Sequence, residues 1–145
     1  MKIRKIDHVG IIVKDLAAAK QFFLDFGLIL EGEAEMQGDF VDQIVGLKDV
    51  KDVFAFLRPP DGGTGVELIQ YYTPRDETEH PLPLSNTLGI RHVAFTVEDI
   101  EAHVTRLKAK GYETFGEIYQ YGDSYKLVFV RGPEGIILEL DEELN

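Results

Sequence analysis

Asp7-His8-Val9-Gly10-Ile11-Ile12-Val13-Lys14-Asp15-Leu16 is answered later in the chain by Arg91-His92-Val93-Ala94-Phe95-Thr96-Val97-Glu98-Asp99-Ile100. The two stretches lie 84 residues apart, His8 onto His92, and the match continues from Ala18 to Ala102 and from Gly27 to Gly111. Similarity at a fixed offset marks a duplicated supersecondary unit. A second correspondence joins Pro60-Asp61-Gly62-Gly63-Thr64-Gly65-Val66-Glu67-Leu68 to Arg131-Gly132-Pro133-Glu134-Gly135-Ile136-Ile137-Leu138-Glu139-Leu140, with Glu67 and Glu139 now 72 residues apart. The first half therefore carries about twelve extra residues, expected between Glu33 and Asp52.

Each half reads as the same succession of elements. A short strand rich in β-branched residues opens it, Ile6 to Val13 and Ile90 to Val97. Asp15 and Asp99 stand where a helix N-cap belongs. Leu16, Ala19, Phe23 and Phe26 follow at helical spacing, as do Ile100, Val104 and Leu107. Gly27 and Gly111 suit a left-handed helix end. Three strand-like runs then complete each half: 28–30, 53–57 and 66–69 in the first, 112–118, 126–130 and 136–140 in the second. Turn signals, Pro59-Pro60-Asp61-Gly62-Gly63 and Gly132-Pro133-Glu134-Gly135, precede each last strand. The expected fold is α+β, built of two βαβββ modules. One domain, 1–145, is built from module 1–73 and module 88–145, with the proline-bearing stretch 74–87 as linker.

A chain of 145 residues with 44% apolar and 28% charged residues has an ordinary globular composition. It contains no cysteine, which removes disulfides, thiolate metal sites and cysteine nucleophiles. A formal charge of −11 repels phosphate backbones and anionic lipid headgroups, so neither nucleic acid nor a membrane surface is an expected partner. No apolar run reaches the ~18 residues of a bilayer span. Asp7 and His8 interrupt the opening stretch before it becomes a signal-type apolar region. The expected location is the cytoplasm.

The duplication also repeats polar residues. His8 and His92 lie on the first strands, Glu67 and Glu139 on the last. All four sit in apolar surroundings, where a polar group needs a partner. Strand alternation puts His8, Gly10 and Ile12 on one face, Gly65, Glu67 and Ile69 on one face, and Ile137 with Glu139. One strand histidine is more often a hydrogen-bonded core residue, and one buried glutamate equally fits an ion pair with Arg58 or Arg91. Repetition at equivalent places favours a shared role. Two imidazoles and two carboxylates suit Ni, Co, Zn, Mn or Fe(II). His80, in the linker, and His103, on the second helix, are read as surface residues. Phe22, Phe26, Phe54 and Phe56 are read as core, whereas Tyr71 and Tyr72 are available for stacking. Asp123-Ser124-Tyr125 reads either as a hairpin turn or as polar contacts to a ligand.

Nearly the whole chain resembles the vicinal oxygen chelate superfamily, which includes glyoxalase I, methylmalonyl-CoA epimerase, extradiol dioxygenases, fosfomycin-resistance enzymes and bleomycin-binding proteins. The resemblance implies that the two modules form a cupped mixed sheet around a central cavity, and that His8, Glu67, His92 and Glu139 are ligands of a divalent metal ion. It implies a metal-dependent isomerase or lyase acting on a small oxygenated substrate through a metal-stabilised enolate. Glu139 would be the first candidate base and Glu67 the second, with Ile12, Ile69 and Ile137 lining the pocket and Ser124 and Tyr125 touching substrate. Bacterial glyoxalase I has an arginine four residues after its first histidine and an asparagine four after its first glutamate. Ile12 and Tyr71 stand there, which speaks against lactoylglutathione as substrate. The alternatives are an extradiol-dioxygenase-like oxidoreductase and a non-catalytic drug-binding protein. The superfamily builds its site within one chain or across a dimer, and a homodimer is expected.

Overall fold

The computed structural model describes all residues from Met1 to Asn145. It divides into two compact units, Met1–Glu79 and His80–Asn145. The boundary falls inside the stretch expected to be the linker. No helix is long and apolar enough to cross a membrane.

The first unit runs β1 (His8–Ile12), α1 (Leu16–Phe26), β2 (Ile29–Gln37), α2 (Asp39–Val45), β3 (Lys51–Arg58) and β4 (Gly65–Thr73). Its sheet has the order β1-β4-β3-β2. β1 runs parallel to β4, and the other pairs are antiparallel. The extra residues of this half are the extension of β2 and the short helix α2, which sequence spacing alone did not announce. Gly46, in a left-handed conformation, ends α2. The Asp42 carboxylate then accepts from the backbone N–H groups of Asp49 and Val50, both at 2.9 Å, and ties the following loop down.

In the second unit come β5 (His92–Thr96), α3 (Ile100–Ala109), β6 (Glu113–Thr114), β7 (Tyr119–Tyr121), β8 (Tyr125–Arg131) and β9 (Ile137–Glu143). The order is β5-β9-β8-β6, with β7 also paired to β8. The single strand expected over 112–118 is instead two short pieces, because the chain leaves the ladder near Gly116 and rejoins β8 at Tyr119. The opening strands are also shorter than expected, by two residues before each histidine and one at the end.

Both helices are held in the same way. Asp15 and Asp99 accept from the backbone N–H groups of Ala18 and Ala102, each at 3.1 Å. A side chain of the last strand then reaches the first helical residue: Gln70 accepts from the Leu16 N–H, and Glu142 from the Ile100 N–H, both at 3.0 Å. At the far ends Leu28 N–H returns to the Phe23 carbonyl and Tyr112 N–H to the Leu107 carbonyl, around Gly27 and Gly111 with positive φ.

The helices cover one face of each sheet. Leu16, Ala19, Phe22, Phe23 and Phe26 of α1 are buried, as are Ala55, Leu57, Val66 and Leu68 of the strands beneath. In the second unit Ile100, Val104 and Leu107 of α3 are buried, together with Val128, Val130, Leu138 and Leu140. Each large side chain removed from water in this way contributes about 1.5–3 kcal/mol. By strand alternation the histidines and glutamates lie on the opposite faces, away from the helices. The mixed α+β character of the chain is therefore as expected.

Gly65 connects packing to this second face. A Cβ there would lie 2.5 Å from a Phe56 ring atom and 3.1 Å from the Leu57 carbonyl oxygen. Phe56 in turn meets the His8 ring edge-on at 5.2 Å. Gly65→Ala is therefore expected to cost about 1–3 kcal/mol in urea unfolding, as overpacking does. It should also shift the His8 ring resonances, whereas Gly10→Ala, with open space around it, should do neither.

Candidate functional site

Register places the four candidate residues. In the first sheet His8 stands opposite Gly65, and Gly10 opposite Glu67. His8 and Glu67 are thus diagonal neighbours on one face, with His8 Nε2 3.5 Å from Glu67 Oε2. The second sheet repeats this: His92 opposite Ile137, Ala94 opposite Glu139, and His92 Nε2 3.0 Å from Glu139 Oε2. The side chains are half-exposed, near 40% for the histidines and 20–24% for the glutamates, so an incoming ligand can reach them. The structure brings His8 to Glu67 and His92 to Glu139. Neither unit gathers three metal-binding residues at one point.

Each pair has an aromatic floor. Phe56 packs against His8, and Phe129 lies 4.8 Å from His92 in a tilted arrangement. Phe54 and Phe56 are half-buried on this face rather than sealed in the core, whereas Phe22 and Phe26 are core as expected. Neither glutamate is taken by the arginines that sequence allowed. Arg58 bonds Glu31, and Arg91 bonds the carbonyls of Thr87 and Leu88. His8 Nδ1 lies 2.8 Å from Asp7 Oδ2. With its Nδ1–H donating there, Nε2 keeps a lone pair facing Glu67, the arrangement in which imidazole serves as a donor to a cation. That bond to His8, followed by Lys5, lowers the pKa of Asp7 below the ordinary carboxylate value.

The two pairs differ in their neighbours. Asp141 follows Glu139 on the same face of β9, where the first half has Ile69 on β4. Burial, then the charge of Asp141 and a hydrogen bond with it, raise the Glu139 pKa, and His92 opposes the rise. Asp141 Oδ1 is buried and accepts no hydrogen bond from the protein. Ile69 is half-buried, Ile137 is buried, and Ile12 is 57% exposed. Asp123-Ser124-Tyr125 forms the β7–β8 turn, with Ser124 N–H donating to the Tyr121 carbonyl at 3.1 Å. Tyr125 opens β8 on the same face as Glu139. His103 is half-buried on α3, not a surface residue, and burial lowers its pKa. Tyr72 is exposed beneath the Lys51 ammonium at 5.8 Å, and Tyr71 is half-buried.

Sequence reasoning passed over Asp7, Asp141 and Arg131. Asp7 and Asp141 were signalled by position: one directly precedes a candidate histidine, and the other stands at strand spacing from a candidate glutamate.

The model of the Glyoxalase/Bleomycin resistance protein/Dioxygenase superfamily matches residues 5–140. The crystal structure of a glyoxalase family protein from Bacillus cereus superposes with a TM-score of 0.95 at 40% identity, covering 100% of this chain and 97% of that one. The uncharacterized protein YaeR of Escherichia coli is 25% identical, over 97% of this chain and 98% of its own. The mitochondrial methylmalonyl-CoA epimerase of Mus musculus is 25% identical, over 97% of this chain and 74% of its own.

Asp52 is the one buried charged side chain, 6% exposed, and burial raises its pKa above the ordinary value. It faces Tyr71, whose pKa is raised first by burial and then by the charges of Asp52 and Glu67. A carboxyl with a raised folded pKa costs stability once ionised. That cost is absent below the unfolded pKa, grows as pH rises, and is full above the folded pKa. Asp52→Asn should therefore raise the thermal midpoint at pH 8, and the gain should vanish as pH falls below 4 in parallel melts.

Proposed function

The chain belongs to the Glyoxalase/Bleomycin resistance protein/Dioxygenase superfamily, and on that premise we propose that it is a metal-dependent isomerase or lyase of the glyoxalase or epimerase kind, acting on a small oxygenated molecule. The observation that carries this reading is the repeated His–Glu pair, His8 with Glu67 and His92 with Glu139. The donor set fits a divalent cation. Each pair supplies one imidazole nitrogen and one carboxylate oxygen, and these suit Ni, Co, Zn, Mn or Fe(II). Asp7 holds His8 in the tautomer such a role requires. A bound ion would act as a Lewis acid on adjacent oxygens of the substrate.

The protein's own groups then have separate tasks. Glu139 is the first candidate to take a proton from the carbon beside those oxygens. Asp141 lies against it as a second carboxyl, a neighbour that Ile69 denies to Glu67. Glu67 is the second candidate. Phe56 and Phe129 pack against the imidazoles, and Ile12 and Ile69 supply apolar surface, whereas Ile137 is buried and supplies none. Tyr125, on the Glu139 face, and Ser124, beside it in the turn, are the candidates for polar contacts to the substrate. Similarity to an epimerase supports isomerisation as the reaction type. A homodimer in the cytoplasm completes the proposal.

Elemental analysis of untagged protein tests the metal directly. Near-stoichiometric divalent metal is expected in the wild type, with loss in His92→Ala and in Glu139→Ala. Absence of metal, with no uptake from added Ni, Co, Zn, Mn or Fe(II), would sink the reading. Asp7→Asn should weaken metal affinity by about 10–100-fold, the usual effect of removing a group that orients a ligand. Competition with a chelating dye reads this without any activity assay.

A further inference from the structure

The duplication supplies an internal control for one more residue. Arg58 and Arg131 end β3 and β8, each directly before the proline-containing turn that leads to the last strand. Both lie in the row of the candidate histidine: Arg131 opposite Ile137, itself opposite His92, and Arg58 one place beyond the Leu57–Val66 pair, toward Gly65 and His8. Both guanidiniums also rest on a phenylalanine ring, Phe56 at 5.0 Å and Phe115 at 4.6 Å.

Their hydrogen bonds differ. Arg58 Nε donates to both oxygens of Glu31 at 3.0 and 3.1 Å, and its Nη1 donates to the Gly63 carbonyl. Glu31 reaches it from the irregularity in β2 between Leu30 and Gly32. The second half has no such irregularity, because β6 is only two residues long. Glu113 stands opposite Arg131 on β6, yet Arg131 Nη1 is buried and donates to no acceptor in the protein. The residue as a whole is only half-buried. An unpaired nitrogen on a permanently charged guanidinium is costly to bury, and the part of the planar fork that the half-buried residue still exposes is matched by an oxyanion.

We propose that Arg131 is an oxyanion subsite on the His92–Glu139 face, taking a carboxylate or phosphoryl group of the ligand while its counterpart Arg58 serves only structure. Two strand spacings separate Arg131 from His92, about 10 Å between their backbones. The long arginine side chain shortens that gap, so the oxyanion belongs several bonds from the oxygens held at the His–Glu pair. The subsite itself is independent of the proposed metal chemistry. Its assignment to a distal group of the substrate rests on that reading.

Three measurements test it. In metal-free protein, the Arg131 and Arg58 Nε–Hε resonances are followed while glutarate or inorganic phosphate is added. A saturable shift at Arg131 and none at Arg58 is expected, and the tighter of the two anions identifies the group. No shift at Arg131, or equal shifts at both arginines, overturns the proposal. Ligand-free melts give a second readout. Arg131→Met should unfold at the wild-type temperature or above, and Arg58→Met below it. A clear loss in Arg131→Met would make the residue structural and overturn the proposal. In nickel-loaded protein, 2-hydroxyglutarate should bind at least tenfold more tightly than 2-hydroxypentanoate, and Arg131→Met should abolish the preference. Equal binding of the two acids by wild type would overturn the substrate assignment. Failure to load nickel would defeat the metal reading while the first titration still decides the oxyanion site.

Discussion

In each unit the first strand lies parallel to the last, and the rest of the site depends on that pairing. Parallel neighbours need a crossover, and here the helix and the antiparallel strands supply it. The register then sets histidine and glutamate diagonally across two adjacent strands. A slip of one residue would turn every side chain of the strand to the other face. The pairing is fixed from outside the ladder as well. Val13 and Val97 N–H groups donate to the carbonyls of Ile69 and Asp141, both at 2.8 Å, one residue beyond each opening strand. Gln70 and Glu142 then hold the helix starts to the same last strands.

The helix-covered face supplies the energy, and the other face is left for chemistry. Leu57, Leu68, Leu138 and Leu140 are fully buried on the first. On the second, half-exposed imidazoles and carboxylates stand over phenylalanine rings. A sheet sealed on one side can keep polar groups on the other without losing its core, because alternation sends successive side chains to opposite faces.

Much of this was legible in the residues themselves. Strand, N-cap, helix and glycine stop follow one another twice, and each signal has a local cause that duplication made visible. That a histidine and a glutamate recur at equivalent places in the two halves was legible too; that each histidine faces the glutamate of its own half comes from the parallel register of first and last strands, which no local signal announces. What escaped depended on non-local geometry. The division of the second strand in the latter half turns on where the chain rejoins β8. Helix α2 is too short for a clear period. Arg131 looks identical to Arg58 in sequence, and only the missing partner on a two-residue strand separates them.

The ties between last strand and helix have a consequence beyond architecture. Gln70 reaches the start of α1 with a neutral amide, whereas Glu142 reaches the start of α3 with a carboxylate. A carboxylate at a helix N-terminus adds attraction to the helix dipole, about 0.3–1 kcal/mol, and salt screens it. The two copies of one ancestral motif thus sit under different electrostatic control. Raising ionic strength weakens the Glu142 tie and leaves the Gln70 tie unchanged, so amide exchange at Ile100 quickens before exchange at Leu16, and the halves of a symmetric ancestor come apart in an order.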